Sequence, residues 1–414
     1  MRILFFATYP TQATGYARIG NILSNFLADN GHDVHYIGIS NFEDQAIDRY
    51  IHPNIKMIDA LKERNEGSTE MYGVDIMNDI IERVKPDIVF IYNDIIVINR
   101  IINEFITKNI NKTFKLCIYL DLVYEYEKLI YFKNINSWSD LIFAFSECWK
   151  KNLLKIGIQE EKICILPHGI DSDKFYKIDI SDSRQYFGFK NDDFIVLNTN
   201  RNSYRKAIDI SIDAFIKFLK KNNYDKKIKL FLNLVRDDEM YNLLHVICMK
   251  NNVNYEEIVQ YHIFTRSTNL YLEDNVLNKL YNACDVGINT CLGEGFGLCN
   301  LEHACVGKPQ IVTRVGALND IFTNDYATLI NSNSELYITS HIDGHLGYIK
   351  ICDPNDFSEA LDRYYKNKDL MNEHGIKAME TLKEKYNWDN ILQQLNENIN
   401  HLNNNISVTI KYKD

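Results

Sequence analysis

The sequence lacks a net positive charge and lacks any apolar run long enough to cross a membrane. Its 414 residues carry a formal net charge of −10, whereas proteins that bind duplex nucleic acid are more often basic. No segment approaches the roughly 18 to 20 uninterrupted apolar residues of a membrane-spanning helix. These absences argue against nucleic acid as a partner and against a membrane-spanning chain. They leave open contact with a membrane surface through an amphipathic helix.

Paired cysteines are also missing, and the opening residues are not expected to form a secretory leader. The nine cysteines are an odd number and form no Cys-x-x-Cys pair, and Cys117, Cys164 and Cys299 lie inside apolar runs. Their spacing does not suit a zinc site, so we expect reduced thiols in a cytoplasmic protein. The opening "MRILFFATYP" has only a short apolar run before polar residues follow. It therefore predicts a first core strand and not a signal peptide.

What is present is an alternation of short apolar runs with amphipathic helical segments. "RILFFA" precedes a glycine-containing loop and a helical pattern in which Ile19, Leu23 and Leu27 recur on one face, and Gly31 then favours a helix end. Further apolar runs are "HDVHYIGIS", "PDIVFIYND", "FKLCIYLDL" and "LIFAFS". Strands that alternate with helices predict a parallel sheet covered on both faces.

The same pattern begins again after residues 177–193. The strands of this second series lie in "FIVLNTN", "IKLFLNLV", "YNACDVGINT" and "KPQIVTRVG". The chain is therefore predicted to be an α/β protein with two doubly wound, Rossmann-like domains. Open sheets of this kind bind ligands at the carboxyl ends of their strands, so the loops after those strands are where we expect the chemistry.

One such loop, "NTNRNSYRKAID", is rich in positive charge. Arg201, Arg205 and Lys206 lie between a predicted strand and a predicted helix. Cations at a helix start are unfavourable unless an anion binds there, because the helix dipole is already positive at that end. Two interpretations stay open on this segment alone. It is either a clamp for a diphosphate, with Arg forking onto phosphate oxygens and Lys supplying a point charge, or a solvated loop.

A second loop, "CLGEGFGLCNLEHA", is rich in glycine. Gly293, Gly295 and Gly297 allow the backbone to approach a ligand closely and to take positive φ where needed. The next helix is predicted to begin near Leu298. Its first free N–H groups, from residues 298–300, suit a phosphate.

Two glutamates lie on either side of this helix start. Glu294 is in the loop, and Glu302 is about one turn into the helix. We expect them to face different parts of one ligand, so they are not predicted to form a general acid/base pair. A glycine-rich loop is weak evidence by itself. Together with two carboxylates and the upstream Arg201 and Lys206 it becomes much stronger.

These motifs resemble those of the retaining glycosyltransferases of family four. These are group 1 glycosyltransferases of the GT-B fold, and they include glycogen-synthase-like and mannosyltransferase-like enzymes. The family signature of Glu, seven residues and Glu is matched by Glu294–"GFGLCNL"–Glu302, and its Arg-x4-Lys is matched by Arg201 and Lys206. "AFSECWKKNLLKIGI", "ILPHGIDSDKF" and "YNWDNI" resemble further family segments in the right order, so the resemblance spans nearly the whole chain.

The resemblance implies three parts of the chain. Residues 1–180 would form an N-terminal, acceptor-binding domain, and residues 181–385 a C-terminal, nucleotide-sugar-binding domain that faces it across a cleft. Residues 386–414 would form a helix that returns to the first domain, followed by a polar tail. The first domain and the segment "NSNSELYITSHIDGHLGYIKI" are expected to shape the acceptor site.

The resemblance also implies roles for the residues of the two loops. Arg201 and Lys206 would bind the diphosphate of a nucleotide sugar and stabilise the departing charge. Glu302 would bind the ribose hydroxyls, and Glu294 would contact hydroxyls of the donor sugar. The other donor-binding residues implied in this way are Gly15, Phe296, Gly297, Leu298 and Cys299.

One position departs from the family pattern. Many members have His-Asp after an apolar strand of the first domain, whereas "CIYLDL" has Leu120 before Asp121. Asp121 is therefore the catalytic candidate of this domain, for contact with the sugar or the acceptor. The alternative interpretation is that Asp121 is only the N-cap of a helix that follows the strand.

Three more residues of the first half are candidates for the acceptor or the cleft. His168, in "LPHGID", is expected to be structural or cleft-lining more than catalytic. Tyr16 and Arg18, in "TGYARIG", would either meet the acceptor or lie in an ordinary exposed loop.

The predicted reaction moves a hexose from GDP-mannose or a UDP-hexose to an acceptor hydroxyl, with retention of the anomeric configuration. The acceptor would be a glycan, a protein or a lipid-linked molecule. No metal and no other cofactor is expected, because Arg, Lys and the helix dipole supply the positive charge. The alternatives are a sugar-nucleotide epimerase-like enzyme and a non-catalytic protein that binds nucleotide sugars or glycans.

Overall fold

The apolar runs of the sequence form parallel strands in two separate sheets, one in each half of the chain. The computed structural model describes residues 1–235, 237–266, 272–342 and 345–411. These residues form two units. The first unit comprises Met1–Leu122, Tyr126–His168 and the described residues from Trp388 onward, and the second comprises Val123–Glu125 and Gly169–Asn387. The end of the predicted polar tail, residues 412–414, lies outside the described residues.

The first unit is built on a seven-stranded sheet. Its strands are β1 (Arg2–Thr8), β2 (Asp33–Ile39), β3 (Lys56–Asp59), β4 (Ile88–Asp94), β5 (Lys115–Asp121), β6 (Leu141–Ala144) and β7 (Ile163–Ile165). They are parallel and lie in the order β3-β2-β1-β4-β5-β6-β7. Residues 3–7 of β1 are fully buried, because a parallel sheet is covered by helices on both faces.

Seven helices of the described residues belong to this unit. They are α1 (Gly15–Asp29), α2 (Ala60–Glu63), α3 (Met77–Val84), α4 (Ile95–Thr107), α5 (Leu129–Trp138), α6 (Glu147–Ile156) and α16 (Trp388–Lys411). Side-chain caps mark the helix starts that follow β1 and β4: Thr14 accepts the N–H of Ala17, and Asp94 accepts those of Ile96 and Val97. The C-terminal helix α16 is tied to this unit by Gln394, whose amide donates to the carbonyl of Ile165 (2.9 Å).

The second unit is built on a six-stranded sheet. Its strands are β8 (Phe194–Asn198), β9 (Ile228–Val235), β10 (Ile263–Arg266), β11 (Val286–Asn289), β12 (Gln310–Thr313) and β13 (Thr328–Ile330). They are parallel and lie in the order β10-β9-β8-β11-β12-β13. The order reverses between β8 and β11, and in an open α/β sheet this switch point is where a ligand binds.

Nine helices of the described residues pack around this sheet. They are α7 (Ile180–Phe187), α8 (Ile208–Lys221), α9 (Asp238–Lys250), α10 (Tyr255–Tyr261), α11 (Asp274–Ala283), α12 (Leu298–Cys305), α13 (Leu318–Ile321), α14 (Pro354–Lys366) and α15 (Lys368–Lys385). The buried guanidinium of Arg184 on α7 makes two hydrogen bonds to Asp285 (2.9 and 2.7 Å), and Asp285 also accepts the N–H of Ile195 on β8. This ion pair joins the first helix of the unit to its sheet.

An antiparallel hairpin follows the last parallel strand of the second unit. It consists of β14 (Ser334–Ile342) and β15 (His345–Ile351) and comes between β13 and α14. Residues 343–344 lie outside the described residues. The hairpin coincides with the segment that is expected to shape the acceptor site. The sequence pattern did not predict that this segment forms two paired strands.

The α/β prediction with two doubly wound, parallel sheets is confirmed by both strand orders. Among the described residues, no helix is long and apolar enough to span a membrane.

Candidate active site

The two loops singled out in the sequence follow neighbouring strands of the second unit. Strand β8 pairs in parallel with β11, and both run toward the same edge of the sheet. The loop with Arg201 and Lys206 leaves the end of β8, and the glycine-rich loop leaves the end of β11. The structure therefore brings these loops together at the switch point of the sheet, where the sequence pattern predicted a ligand site.

Of the three cations of the basic loop, Arg201 and Lys206 differ most in exposure. Arg201 is exposed, and within the described residues its guanidinium makes no hydrogen bond or ion pair. Lys206 is only 9% exposed and belongs to a short helical turn that ends at Ala207 in the left-handed region (φ 44°). The hydroxyl of Thr290, just beyond β11, donates to the carbonyl of Ala207 (2.8 Å). This bond fixes the turn that presents Lys206.

Glu294 is the centre of a buried charge cluster. Its carboxylate accepts a short hydrogen bond from the Lys206 ammonium and a longer one from Arg205 Nη1 (3.3 Å). Burial alone would raise the pKa of Glu294, but the charges of Lys206 and Arg205 outweigh burial and lower the pKa to about 2. Glu294 is therefore an anion at neutral pH, which lets it accept hydrogen bonds from hydroxyl groups.

The sequence pattern predicts no separate function for Arg205. Arg205 Nη1 also donates to the carbonyl of Gly293 (3.0 Å), and the carbonyl of Arg205 accepts the N–H of Leu292 (2.8 Å). Arg205 therefore connects the basic loop to the glycine-rich loop at three points. The unusual sequence of two adjacent cations, Arg205 and Lys206, is the only signal that could have suggested this role.

The glycine-rich loop ends in a glycine that no other residue can readily replace. Gly297 has φ +93°, and a Cβ there would lie 2.6 Å from Leu318. Helix α12 begins immediately afterwards, as predicted. One detail of the prediction is wrong, because the N–H of Asn300 donates to the carbonyl of Gly297 (3.1 Å) and is not free. Leu298 and Cys299 remain the first-turn N–H groups suited to an anion.

The ring of Phe296 is turned into the unit. It is 4% exposed and packs edge-on against Tyr386, with ring centroids 5.8 Å apart. A contact of Phe296 with a donor would therefore come from its backbone.

Glu302 lies on α12 and is held by a tyrosine that sequence reasoning missed. The hydroxyl of Tyr281 on α11 donates to the Glu302 carboxylate (2.8 Å), and both residues are buried. The ring of Tyr281 stacks on His303, with centroids 5.3 Å apart. Burial lowers the pKa of His303 to about 3, so this imidazole is neutral at physiological pH. Tyr281 thus orients the residue expected to meet the ribose.

Replacement of Tyr281 by Phe is expected to weaken nucleotide binding about tenfold, because the Glu302 carboxylate loses the hydrogen bond from the Tyr281 hydroxyl. Calorimetric titration with UDP and GDP measures the effect. Tyr364→Phe is the matched control, since Tyr364 is another buried tyrosine of this unit and its hydroxyl pairs with His374 (2.8 Å). Equal nucleotide affinities of the two variants would contradict the positioning role of Tyr281.

The candidates of the first unit also gather at the carboxyl edge of their sheet. Asp121 is the last residue of β5, and the next helix, α5, begins only at Leu129, with Lys128 before it. The N-cap interpretation of Asp121 is therefore wrong. Its carboxylate accepts a short hydrogen bond from the hydroxyl of Tyr16, which lies 105 residues away in the chain.

Tyr16 lies in the first turn of α1, so the interpretation as an ordinary exposed loop is wrong for this residue and for Arg18. Burial raises the pKa of Tyr16 well above its usual range, and the charge of Asp121 adds to this effect. The phenol therefore stays protonated and donates a hydrogen bond to Asp121. Gly15, the first residue of α1, is exposed.

His168 is buried in the first unit and lies 2.6 Å from the hydroxyl of Tyr119 through Nδ1. Burial lowers the pKa of His168 to about 3, and the charge of Arg18 acts in the same direction. The imidazole is therefore neutral and able to accept the Tyr119 hydrogen bond. This environment is typical of a structural histidine.

Comparison with known proteins places the sequence match in the second unit. Residues 179–381 match the model of the family described as "Glycosyl transferases group 1". An uncharacterized glycosyltransferase of Methanocaldococcus jannaschii is 24% identical over 259 residues, which are 61% of this chain and 58% of that relative. Human alpha-1,3/1,6-mannosyltransferase ALG2 is 22% identical over 205 residues, which are 49% of this chain and 44% of that relative. The chain thus spans about half the length of these curated relatives.

Two solved structures are similar over nearly the whole chain. Sucrose-phosphate synthase from Thermosynechococcus elongatus has a TM-score of 0.71 and 15% identity, covering 97% of this chain and 99% of that one. The Anabaena protein HepE, in complex with UDP-glucose, has a TM-score of 0.70 and 14% identity, covering 97% and 100%. The chain therefore has the GT-B fold of these structures, and its residues 179–381 match the group 1 glycosyltransferase family.

Proposed function

We propose that the protein is a glycosyltransferase that moves a hexose from a nucleotide sugar to an acceptor hydroxyl with retention of configuration. The observation that carries the proposal is the buried cluster of Glu294, Lys206 and Arg205 beside the start of α12, at the switch point of the second sheet. This arrangement offers positive charge and backbone N–H groups to a diphosphate, and a carboxylate to a sugar. The match to group 1 glycosyltransferases supports the same reaction class.

The donor is proposed to be a UDP-hexose or GDP-mannose. A similar structure, HepE, is a complex with UDP-glucose, and one similar sequence is named a mannosyltransferase. In this proposal Glu302, held by Tyr281, accepts hydrogen bonds from the ribose hydroxyls. Glu294, ionised because its pKa is about 2, accepts hydrogen bonds from hydroxyls of the hexose.

The first step of the proposed mechanism is departure of the nucleoside diphosphate. Arg201 and Lys206 place positive charge where negative charge develops on the leaving phosphate, and the N–H groups of Leu298 and Cys299 at the start of α12 add the positive end of the helix dipole. The bond between the anomeric carbon and the phosphate oxygen breaks, and its electron pair stays on the phosphate oxygen. An oxocarbenium-like sugar remains. The acceptor hydroxyl then attacks the same face and gives its proton to the departing phosphate.

Charge stabilisation in this scheme comes from the chain itself. We therefore expect turnover to continue when divalent cations are removed. Equal initial rates with magnesium and with excess EDTA would agree with this expectation, whereas loss of activity in EDTA would assign part of the charge stabilisation to a metal.

Asp121 and Tyr16 are proposed to form the polar contact of the first unit with the sugar or the acceptor. Replacement of Asp121 by Asn is expected to lower transfer at least about tenfold and to leave nucleotide affinity unchanged, because the amide is uncharged and changes the bond with Tyr16. Asp59→Asn is the matched control, since Asp59 also ends a parallel strand of this sheet, β3, and an Asn still caps the helix that follows it, α2. Transfer by the Asp121 variant at the rate of the control would contradict this role.

The experiment that tests the proposed function is a screen of nucleotide sugars by thermal shift and by hydrolysis. The panel contains UDP-glucose, UDP-galactose, UDP-N-acetylglucosamine and GDP-mannose. We expect one donor to raise the melting temperature and to be hydrolysed slowly to the nucleoside diphosphate, with the α-anomer as first product by NMR. Failure of all four would overturn the proposal. Isomerisation of the donor would favour the epimerase alternative, and tight binding without hydrolysis or transfer would favour a binding protein.

A further inference from the structure

The hairpin β14–β15 has two faces of different chemistry. Side chains alternate along a strand, so every second residue lies on the same face. Ile338 and Ile349 point into the core of the second unit and are buried. Tyr337 and Tyr348 form a cross-strand pair on the opposite face and remain 39% and 40% exposed.

Glu125 adds to this outer face through a single bridge. Glu125 forms an antiparallel bridge with Tyr348, whose N–H donates to the Glu125 carbonyl (3.0 Å). Lys350 pairs with the carboxylates of Glu125 (3.0 Å) and Glu335 (3.7 Å). We call the outer side of Glu125, Glu335, Tyr337, Tyr348 and Lys350 the tyrosine face.

The tyrosine face is joined to the glycine-rich loop by a backbone hydrogen bond. The N–H of Lys350 donates to the carbonyl of Leu292 (2.9 Å), two residues before Glu294. Gly293 has no room for a side chain, since a Cβ would lie 2.3 Å from the carbonyl oxygen of Val123 and 2.5 Å from the Tyr124 ring. The hairpin, the segment Val123–Glu125 and the loop that carries Glu294 therefore form one packed piece of the second unit.

Close packing also holds the hairpin against the segment Val123–Glu125. Gly347 has φ +132°, and a Cβ there would lie 2.5 Å from the Glu125 carbonyl oxygen and 2.8 Å from the Tyr124 Cβ. A side chain at this position would push Glu125 away from Tyr348. The tyrosine face thus has a defined geometry, which a binding surface needs in order to be specific.

The chemistry of the tyrosine face suits a sugar ring. The rings of Tyr337 and Tyr348 lie edge to face, with centroids 5.1 Å apart and an interplanar angle of 76°. Tyrosine offers an apolar ring face to the C–H side of a pyranose and a polar hydroxyl at its tip. The carboxylates of Glu125 and Glu335 accept hydrogen bonds from hydroxyl groups, and Lys350 donates them.

The charge of this face disfavours other ligands. Two carboxylates and one ammonium leave a formal charge of −1, which repels phosphate groups of nucleic acids and anionic lipids. The face also lacks the apolar centre of a stable protein interface, because its two half-exposed tyrosines lie among three charged residues. A neutral, hydroxyl-rich ligand meets neither obstacle.

We propose that the tyrosine face is a subsite for a sugar residue of a glycan acceptor. That the bound glycan is an acceptor rests on the proposed function. The binding of a sugar at this face does not. The connection of the face to Leu292 places this subsite on the same packed piece of the chain as Glu294. A glycan bound here would thus be anchored next to the loop expected to hold the donor.

The test is disaccharide binding by the full chain in the presence of saturating UDP. The probes are maltose, α-1,3-mannobiose, chitobiose and lactose, followed by saturation-transfer NMR and titration. We expect at least one of them to bind, and we expect Tyr337→Ala and Tyr348→Ala each to weaken that disaccharide about tenfold. Tyr348→Phe keeps the ring and should retain most of the affinity. UDP affinity should stay unchanged in all three variants.

Tyr186→Ala is the matched control for the loss of an exposed ring. Tyr186 is 56% exposed, lies edge to face with Phe187 (5.0 Å), and sits on α7 just before the amino end of β8. Binding of no disaccharide, or equal affinity in the Tyr337, Tyr348 and Tyr186 variants, overturns the subsite. Self-association that disappears in the Tyr337 and Tyr348 variants, without disaccharide binding, would assign the face to a second copy and also overturn it.

Failure of the subsite and failure of the proposed function give different results. If the donor screen is negative but disaccharides bind to the tyrosine face, the face is a glycan site of a protein that is not a transferase. If donor hydrolysis occurs and no disaccharide binds, the transferase stands and the subsite is wrong.

Discussion

Replacement of Lys206 by Gln is expected to lower kcat for sugar transfer by about 100- to 1,000-fold. The reason is that the ammonium would no longer stabilise the negative charge that develops on the leaving diphosphate, and one preorganised donor of this kind is typically worth that factor. Lys206 is buried and hydrogen-bonded to Glu294, so it is held in place before the reaction begins. Initial rates at saturating donor measure the effect, with UDP or GDP affinity measured separately by calorimetry.

Two controls separate catalysis from folding for the Lys206 variant. Lys221→Gln removes a lysine that pairs with Glu359 (2.6 Å) at the far end of α8, and it should leave kcat unchanged. Thermal unfolding of the Lys206 variant should show a cooperative transition, because Arg205 still compensates part of the charge of Glu294. A folded Lys206→Gln protein with the wild-type kcat would contradict the mechanism proposed for this loop.

Replacement of Glu294 by Gln is expected to lower the rate of sugar transfer at least about 100-fold. The loop loses the anion that orders Lys206 and Arg205 and that accepts hydrogen bonds from the sugar hydroxyls. The isosteric amide avoids the cavity that Ala would leave. Nucleotide affinity should fall much less than kcat, because the proposed partners of the diphosphate and ribose remain. These partners are Arg201, the start of α12 and Glu302. Rates over a range of donor concentrations separate the two effects.

The same substitution should change the acid sensitivity of folding. The pKa of Glu294 is lowered from 4.5 to about 2 in the folded chain. The carboxylate therefore contributes stability above its unfolded pKa, and this contribution is lost as the pH falls toward about 2. Between pH 7 and pH 3 the stability of the wild type should fall by about 2 kcal/mol more than that of Glu294→Gln.

Urea unfolding of both proteins at pH 7, 5, 4 and 3 measures this difference. Arg184→Met provides a reference for losing a buried ion pair elsewhere in the same unit, since it removes the bonds to Asp285 without touching either loop. It should be destabilised at neutral pH, by about 3 kcal/mol. Parallel pH profiles of the wild type and Glu294→Gln would show that folding does not lower the pKa of this carboxyl group.

Much of the fold was predictable because its elements depend on local periodicity. Continuous apolar runs such as residues 3–7 predict strands buried on both faces, and they are fully buried in β1. The start of α12 was also predictable, since Gly297 requires a left-handed φ and the helix follows at once. Local sequence was less informative about the hydrogen bonds at that helix start, where the N–H of Asn300 donates to the carbonyl of Gly297.

The interactions that organise the candidate site were not predictable from spacing. Tyr281 and Glu302 lie 21 residues apart and on different helices, and Arg205 meets Glu294 across 89 positions of sequence. Tyr16 and Asp121 are 105 residues apart. These pairs form because the strand order brings distant parts of the chain to one edge of a sheet. The strand order does not appear as a local pattern in the sequence.

By itself, the sequence determined the two series of strands and helices, and the glycine, carboxylate and cation motifs after β8 and β11. These follow from residue-level preferences that need no partner. Only the tertiary structure decided that Arg205 and Lys206 share Glu294, that Tyr16 and Tyr281 hold the carboxylates of Asp121 and Glu302, and that the hairpin exposes a tyrosine pair. The physical reason is that the neighbouring charges that lower the pKa of Glu294, and the contacts that orient each hydroxyl, exist only once distant segments pack together.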